Sequence, residues 1–404
     1  MKNPLDVTNL LPVAGIRCGT ACANFKKPDR RDLVVFELSD KTTTAAVFTK
    51  NLFCAAPVQV AKRHFQLAET RYLLVNTGNA NAGTGDQGVR DSEYCCELVA
   101  KQTGCNIQQV LPFSTGVIGE PLQVEKFEQG IPNAITEFSE QGWQDAANGI
   151  MTTDTVPKGV SKQISLDGQT VTVTGIAKGS GMIRPDMATM LAYVATDAAL
   201  PKTLLQTCLE SAVNHSFNRI TVDGDTSTND ACILMATGGS GVSIDSEHSE
   251  NYQPLSQTIR EVCEELARAM IRDGEGATKL INIDVEGGKD SAECLQVAYT
   301  IAHSPLVKTA FFASDPNWGR ILAAVGRAGV SDLDLNALTI YLGDVCIVSN
   351  GGRDKAYTEQ KGQAVMDKDE ISVRVDLKRG SVKESVWTCD FSYDYVKINA
   401  EYRT

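Results

Sequence analysis

The segment Lys178-Gly179-Ser180-Gly181-Met182-Ile183-Arg184-Pro185-Asp186-Met187-Ala188-Thr189-Met190-Leu191 places a threonine between a constrained loop and an apolar run. If the Ala188–Thr189 bond is cut, Thr189 gains a free α-amine. An N-terminal threonine carries its own general base, which activates a hydroxyl otherwise too weakly acidic to attack at neutral pH. That chemistry is acyl transfer. Gly179, Gly181 and Pro185 force a tight, non-helical path. Strain in such a path would favour attack of Thr189 on its own preceding carbonyl, an N-to-O acyl shift, and hydrolysis of the resulting ester.

Other groups supply what such a nucleophile needs. Phe113-Ser114-Thr115-Gly116-Val117-Ile118-Gly119 sets a hydroxyl beside a sterically open backbone N–H, a pair able to donate two hydrogen bonds to a developing oxyanion. Taken alone, the same residues also make an ST-turn at a strand end, and only proximity to a nucleophile separates the two readings. Thr152, Thr153, Asp154 and Thr155 form a polar knot before Pro157 that reads as turn chemistry. In Asp273-Gly274-Glu275-Gly276-Ala277-Thr278-Lys279 the flanking glycines let the Glu275 carboxylate approach a ligand closely, against a solvated loop as the alternative. Gly83-Thr84-Gly85-Asp86-Gln87-Gly88 fits the G-x-G-x-x-G spacing of dinucleotide sites, but no acidic residue ends a strand about 20 positions on. A loop with unusual backbone angles is the favoured reading, and the preceding amides of Asn76, Asn79 and Asn81 can hold either that loop or a polar ligand.

These residues need a scaffold. Leu33 to Leu38, Thr42 to Thr49, Tyr72 to Asn76, Val171 to Ile176 and Met190 to Ala195 read as strands of mixed sheets. Arg90 to Lys101 is apolar at helical spacing and is stopped by Gly104. Leu204, Leu205, Cys208, Leu209, Ala212 and Val213 form one stripe of a helix after Pro201, and Gln257 to Ile271 repeats the pattern. The expected fold is α/β, with a domain boundary between about 150 and 200.

The chain has 404 residues, 42% of them hydrophobic, enough for substantial cores. A net charge of −12 without a basic patch argues against nucleic acid as a partner. No window resembles an export signal or a membrane span, so a cytoplasmic location and no membrane partner are expected. The twelve cysteines are dispersed, and with four histidines no zinc-like spacing emerges, so they read as reduced and mostly buried, with no metal and no cofactor.

In order along the chain, Asn79-Ala80-Asn81-Ala82, Ser114 to Gly119, Thr152-Thr153-Asp154, Lys178 to Leu191, Asp273 to Lys279 and the terminal Asn399-Ala400-Glu401-Tyr402-Arg403-Thr404 together resemble the ornithine acetyltransferase family of arginine biosynthesis. One departure is Gly83, where the family pattern leads us to expect cysteine. The resemblance implies an αββα sandwich of mixed sheets with a smaller C-terminal lobe, and self-cleavage between Ala188 and Thr189 into an α chain, 1–188, and a β chain, 189–404, paired as an α2β2 heterotetramer. It also implies transfer of acetyl from N-acetylornithine to glutamate through an acetyl-threonine ester, with acetyl-CoA open as a second donor. By position, Thr189 corresponds to the nucleophile, Thr115 and Gly116 to the oxyanion donors, and Thr153, Lys178, Thr189, Glu275, Asn399 and Thr404 to the substrate contacts. Two rivals stand beside this reading: an N-terminal-threonine amidase or aminopeptidase, which gives the acyl group to water, and an uncleaved amino-acid-binding protein.

Overall fold

The computed structural model describes residues 5–26, 28–184 and 190–401. It divides into two compact units, one of Pro4–Asn218 and Asp225–Met270, the other of Met1–Asn3, Arg219–Gly224 and Ile271–Thr404. In chain order the elements begin with β1 (Ile16–Ala21), β2 (Leu33–Leu38), β3 (Thr43–Phe48), α1 (Ala56–Leu67), β4 (Tyr72–Asn79), α2 (Gly85–Thr103), β5 (Val110–Val117), α3 (Val124–Thr136) and α4 (Trp143–Gly149). They continue with β6 (Lys158–Leu166), β7 (Gln169–Lys178), β8 (Leu191–Thr196), α5 (Lys202–His215), β9 (Ile220–Thr221) of the second unit, β10 (Ala231–Ala236) and α6 (Tyr252–Arg272).

The first unit stacks two sheets. One has the order β1-β2-β4-β5, the other β3-β10-β8-β7-β6. Phe36, Leu73, Val75 and Phe113 from one sheet meet Ile176, Tyr193, Ile233 and Met235 from the other in a shared core, which Trp143 of α4 joins. Each such side chain, fully buried, stabilises by roughly 1.5–3 kcal/mol. The strands at the centre of the second sheet, β8 and β10, are parallel to each other and buried on both faces, which is why their sequences are unbroken apolar runs. Helices cover the outer faces. Cys95, Val99, Phe127 and Ile131 of α2 and α3 pack on Val35 and Leu74. On the other sheet, a side chain at Gly175 of β7 would lie 2.9 Å from Val262 and 3.0 Å from Leu266 of α6. The expected αββα layering is present.

Local signals predict these elements well. Gly104 ends α2 in the left-handed region at φ 77°, and Pro201 caps α5 in extended geometry, one residue before its first turn. The division between units falls at Ile271, not between 150 and 200. The reason lies in pairing: Val173–Lys178 of β7 runs antiparallel to Leu191–Thr196 of β8 with continuous register, so the chain on both sides of the loop belongs to one sheet.

The second unit continues with β11 (Leu280–Gly288), α7 (Ser291–Ala302), α8 (Pro305–Phe312), α9 (Trp318–Gly326), β12 (Thr339–Leu342), β13 (Val345–Ser349), β14 (Gly352–Arg353), α10 (Glu359–Met366), β15 (Glu370–Asp376), β16 (Val382–Cys389) and α11 (Tyr393–Ala400). A seven-stranded sheet, β14-β13-β12-β15-β11-β16-β9, packs Ile283, Val373 and Val386 against Val297, Ile301 and Phe311 of the helices. This is the smaller C-terminal lobe. Among the described residues no helix is long and apolar enough to cross a membrane.

Candidate active site

Within the first unit, the polar residues singled out from the sequence gather at one end of the stacked sheets. Thr115 and Gly116 lie in the last turn of pairing of β5 with β4, where the register shifts at Gly78 and Asn79. Gly116 has φ 137°, and a Cβ there would stand 2.3 Å from the Gly78 carbonyl carbon, so only glycine fits. Lys178, the last residue of β7, donates from Nζ to Thr115 Oγ1 at 3.2 Å. A hydroxyl that accepts from an ammonium still has its own proton to give. Thr115 can therefore donate onward to a negatively charged oxygen while Lys178 polarises it.

Thr153 is exposed, and its hydroxyl lies 2.8 Å from that of Ser180. Beneath it Asp154 is buried and accepts from Lys158 Nζ at 2.7 Å, from Gly179 N at 2.7 Å and from Thr152 N at 2.9 Å. Burial alone would raise its pKa. The attraction of Lys158 and Lys178 and these hydrogen bonds outweigh it and hold the carboxyl well below the usual range. What the sequence presents as a local turn is thus an anchor that fixes Gly179, the first residue after β7.

The segment Asp223-Gly224-Asp225-Thr226-Ser227-Thr228-Asn229-Asp230 escaped the sequence reading. Its signal is present: a dense polar run leading directly into the apolar β10. Asn229 donates to Ser114 O at 2.9 Å and to Ala80 O at 2.6 Å, so it ties the start of β10 to the strand end carrying Thr115. Ser114 in turn donates to Asn76 at 2.6 Å. Asp230 is fully buried, and burial pushes its carboxyl far up, against the smaller pull of Ser227, Lys178 and the Met190 amide.

The G-x-G-x-x-G motif spans the end of the loop after β4 and the first turn of α2 in a parallel β4–α2–β5 unit, the arrangement a dinucleotide site uses. Its interior is occupied by the chain itself. The Asn81 amide donates to Gly88 O and Ser92 Oγ, both at 2.9 Å, and accepts from Thr84 Oγ1 at 2.7 Å. Asn81, Gly83 and Gly85 all have positive φ, as the loop reading requires.

In the second unit, Glu275 is buried in the turn after α6, and Asn399 of α11 donates to its Oε2 at 2.9 Å. The structure therefore brings Thr115, Gly116, Lys178 and Thr153 to one end of the first unit, and Glu275 and Asn399 together in the second. Ala188, Thr189 and Thr404 lie outside the described residues. Among the described residues, no three His, Cys, Asp or Glu side chains are grouped to hold a metal ion.

Fold and site define an αββα enzyme in which the Thr115 hydroxyl and the Lys178 ammonium meet at one sheet end. The sequence model of the ArgJ family matches residues 17–404, and this chain belongs to that family. It is 56% identical over 396 residues to the arginine biosynthesis bifunctional protein ArgJ of Pseudomonas fluorescens (strain Pf0-1), covering 98% of each chain. It is 54% identical to that of Psychrobacter arcticus (strain DSM 17307 / VKM B-2377 / 273-4), covering 98% of this chain and 97% of the relative. The crystal structure of arginine biosynthesis bifunctional protein ArgJ from Bacillus halodurans matches with a TM-score of 0.50 and 38% identity, over 52% of this chain and 99% of that one. The family expected from the motifs is the family found.

Proposed function

We propose that this enzyme moves acetyl from N-acetylornithine to glutamate through an ester on Thr189, after self-cleavage between Ala188 and Thr189 into residues 1–188 and 189–404. The Thr189 amine takes the hydroxyl proton, and the oxygen attacks the acetyl carbonyl. The C–N bond breaks with return of that proton to the departing ornithine amine. The glutamate amine then attacks the ester and regenerates the hydroxyl. Breaking one acetyl amide and making another nearly balances in free energy, so the cycle needs a low barrier but no cofactor and no metal.

Thr115 Oγ1 and Gly116 N are the oxyanion donors in this reading. Lys178 has three donors, enough to polarise Thr115 and pair with the substrate α-carboxylate. Thr153 and Thr404 line the substrate, and Glu275, oriented by Asn399, accepts its side-chain ammonium. The observation that supports this most is the Lys178–Thr115 hydrogen bond at 3.2 Å beside a glycine whose conformation no other residue can take. We place the enzyme in the cytoplasm as an α2β2 heterotetramer. The word bifunctional in the relatives' names fits a second activity, for which acetyl-CoA is the candidate donor; acetylglutamate formed from acetyl-CoA and glutamate tests it.

Thr189→Ala should abolish both cleavage, seen as a single intact mass at 43.5 kDa, and acetyl transfer. Retained transfer would refute the nucleophile. Full-rate release of ornithine without glutamate would favour the amidase rival instead.

A further inference from the structure

The Glu275 turn is built less by its own sequence than by the chain end that follows β16. Asp390, 1% exposed, accepts from Thr278 N at 2.8 Å, Lys279 N at 2.9 Å and Thr278 Oγ1 at 2.5 Å. Both of its oxygens are thereby engaged by donors from one loop 111 and 112 positions earlier. Two residues on, Ser392 donates to Gly276 O at 2.6 Å. Gly276 itself, at φ 68°, leaves no room for a side chain, because a Cβ would lie 2.5 Å from Tyr395 N. One helical turn later, Asn399 reaches Glu275 Oε2 at 2.9 Å while also donating to Tyr395 O at 3.0 Å. The segment 390–399 thus holds the turn at Thr278 and Lys279, at the Gly276 carbonyl and at the Glu275 carboxylate itself.

That segment is itself pinned. Lys308, 1% exposed, donates to Thr388 Oγ1 at 2.8 Å and to Cys389 O, accepts from Phe391 N at 3.3 Å through its carbonyl, and holds its ammonium 4.5 Å from the Phe391 ring centre. Phe391 stacks on Tyr395 at 4.6 Å, which carries the fixed position into α11. A carboxylate that accepts three hydrogen bonds from one loop sets where the loop lies. An amide in its place would keep the two backbone contacts through its oxygen but present a donor to Thr278 Oγ1, so that hydroxyl would have to turn and accept, losing its bond to a charged oxygen.

We propose that Asp390 is the positioning residue that holds the Glu275 carboxylate where it accepts a substrate ammonium, and so sets the preference for a side chain ending in a cation. This rests on the role given to Glu275 above. Asp390 does not touch the substrate; it acts through Thr278, Lys279 and the turn they close.

The test is calorimetric binding to the processed enzyme of L-ornithine and of L-norvaline, which has the same carbon chain without the ammonium. Asp390→Asn should weaken ornithine by about tenfold and leave norvaline within about twofold, and the double variant with Glu275→Gln should bind ornithine no worse than Glu275→Gln alone, since coupled residues are not additive. Equal losses for both ligands, or losses that multiply in the double variant, overturn the proposal while leaving Glu275 as the ammonium contact. If Glu275→Gln leaves the preference for ornithine intact, the Glu275 role itself fails and the proposal with it. Should Asp390→Asn not fold, Thr278→Val removes one of the three hydrogen bonds and is expected to shift ornithine binding in the same direction by a smaller factor, also without effect beyond Glu275→Gln.

Discussion

Thr115 has a hydroxyl with one proton, and because the oxygen accepts from Lys178 that proton remains to be donated elsewhere. On the proposed role of Thr115 as an oxyanion donor, Thr115→Ala should lower kcat by about 10²–10³ with a smaller change in KM, while Thr115→Ser should retain most activity; steady-state acetyl transfer measures both. Asp154 makes a second residue-scale case. Its side chain and that of Lys158 are fully buried against each other, and removing one partner from such a pair costs about 3–5 kcal/mol. Asp154→Ala should lose about that much in urea unfolding. Because its folded-state pKa lies below the ordinary 3.8, its contribution is complete above that pH and is lost as pH falls through the folded value. Asp154→Asn should accordingly lose stability at neutral pH and show a flatter decline under acid. The sequence showed Asp154 beside its neighbours but not its tie to Gly179, 25 residues on. Spacing reveals partners at helical or turn distance; it is silent about those that meet through the fold.

Strands and helices were more legible than single contacts, since burial on one face leaves a period in the sequence. The apolar stripe of α5 and the unbroken run of β8 needed no tertiary information. The order of strands did need it. Nothing local tells β10 to insert between β3 and β8, antiparallel to one and parallel to the other. The same holds for α1, which turns His64 into the core 2.8 Å from Val110 O, with Nδ1 as the donor. Burial lowers the His64 pKa below the ordinary 6.5, against a smaller upward pull from that hydrogen bond. The unfolded chain then binds more protons below that pH than the folded one, so stability declines as pH falls through 6.5. Thermal unfolding of His64→Gln should show a weaker decline between about pH 7 and pH 5 than the parent does.

At the scale of the whole molecule, the proposed cut and the compact units do not coincide. The cut falls in the chain between β7 and β8, both of the first unit, whose second sheet draws β3, β6 and β7 from before the cut and β8 and β10 from after it. After processing, residues 1–188 and 189–404 should migrate as one species in size-exclusion chromatography and separate only under denaturant. Elution of free fragments at neutral pH would contradict the pairing. Family membership was readable from motifs because chemistry confines residue types at a site. The unit boundary was not, because the break in composition near the loop is a change of local structure inside a continuous sheet.

The interleaving of β3-β10-β8-β7-β6 has a consequence for timing and for exchange. The two later strands are paired on both sides, so withdrawing them would leave two raw edges, on β3 and on β7, each open to pairing with another chain. A polypeptide severed before those strands are seated would therefore tend to aggregate rather than assemble. On the proposed cleavage, folding should come first and cutting second, and the halves born from one polypeptide should stay partners for life: mixed with isotope-labelled enzyme, they should not trade places.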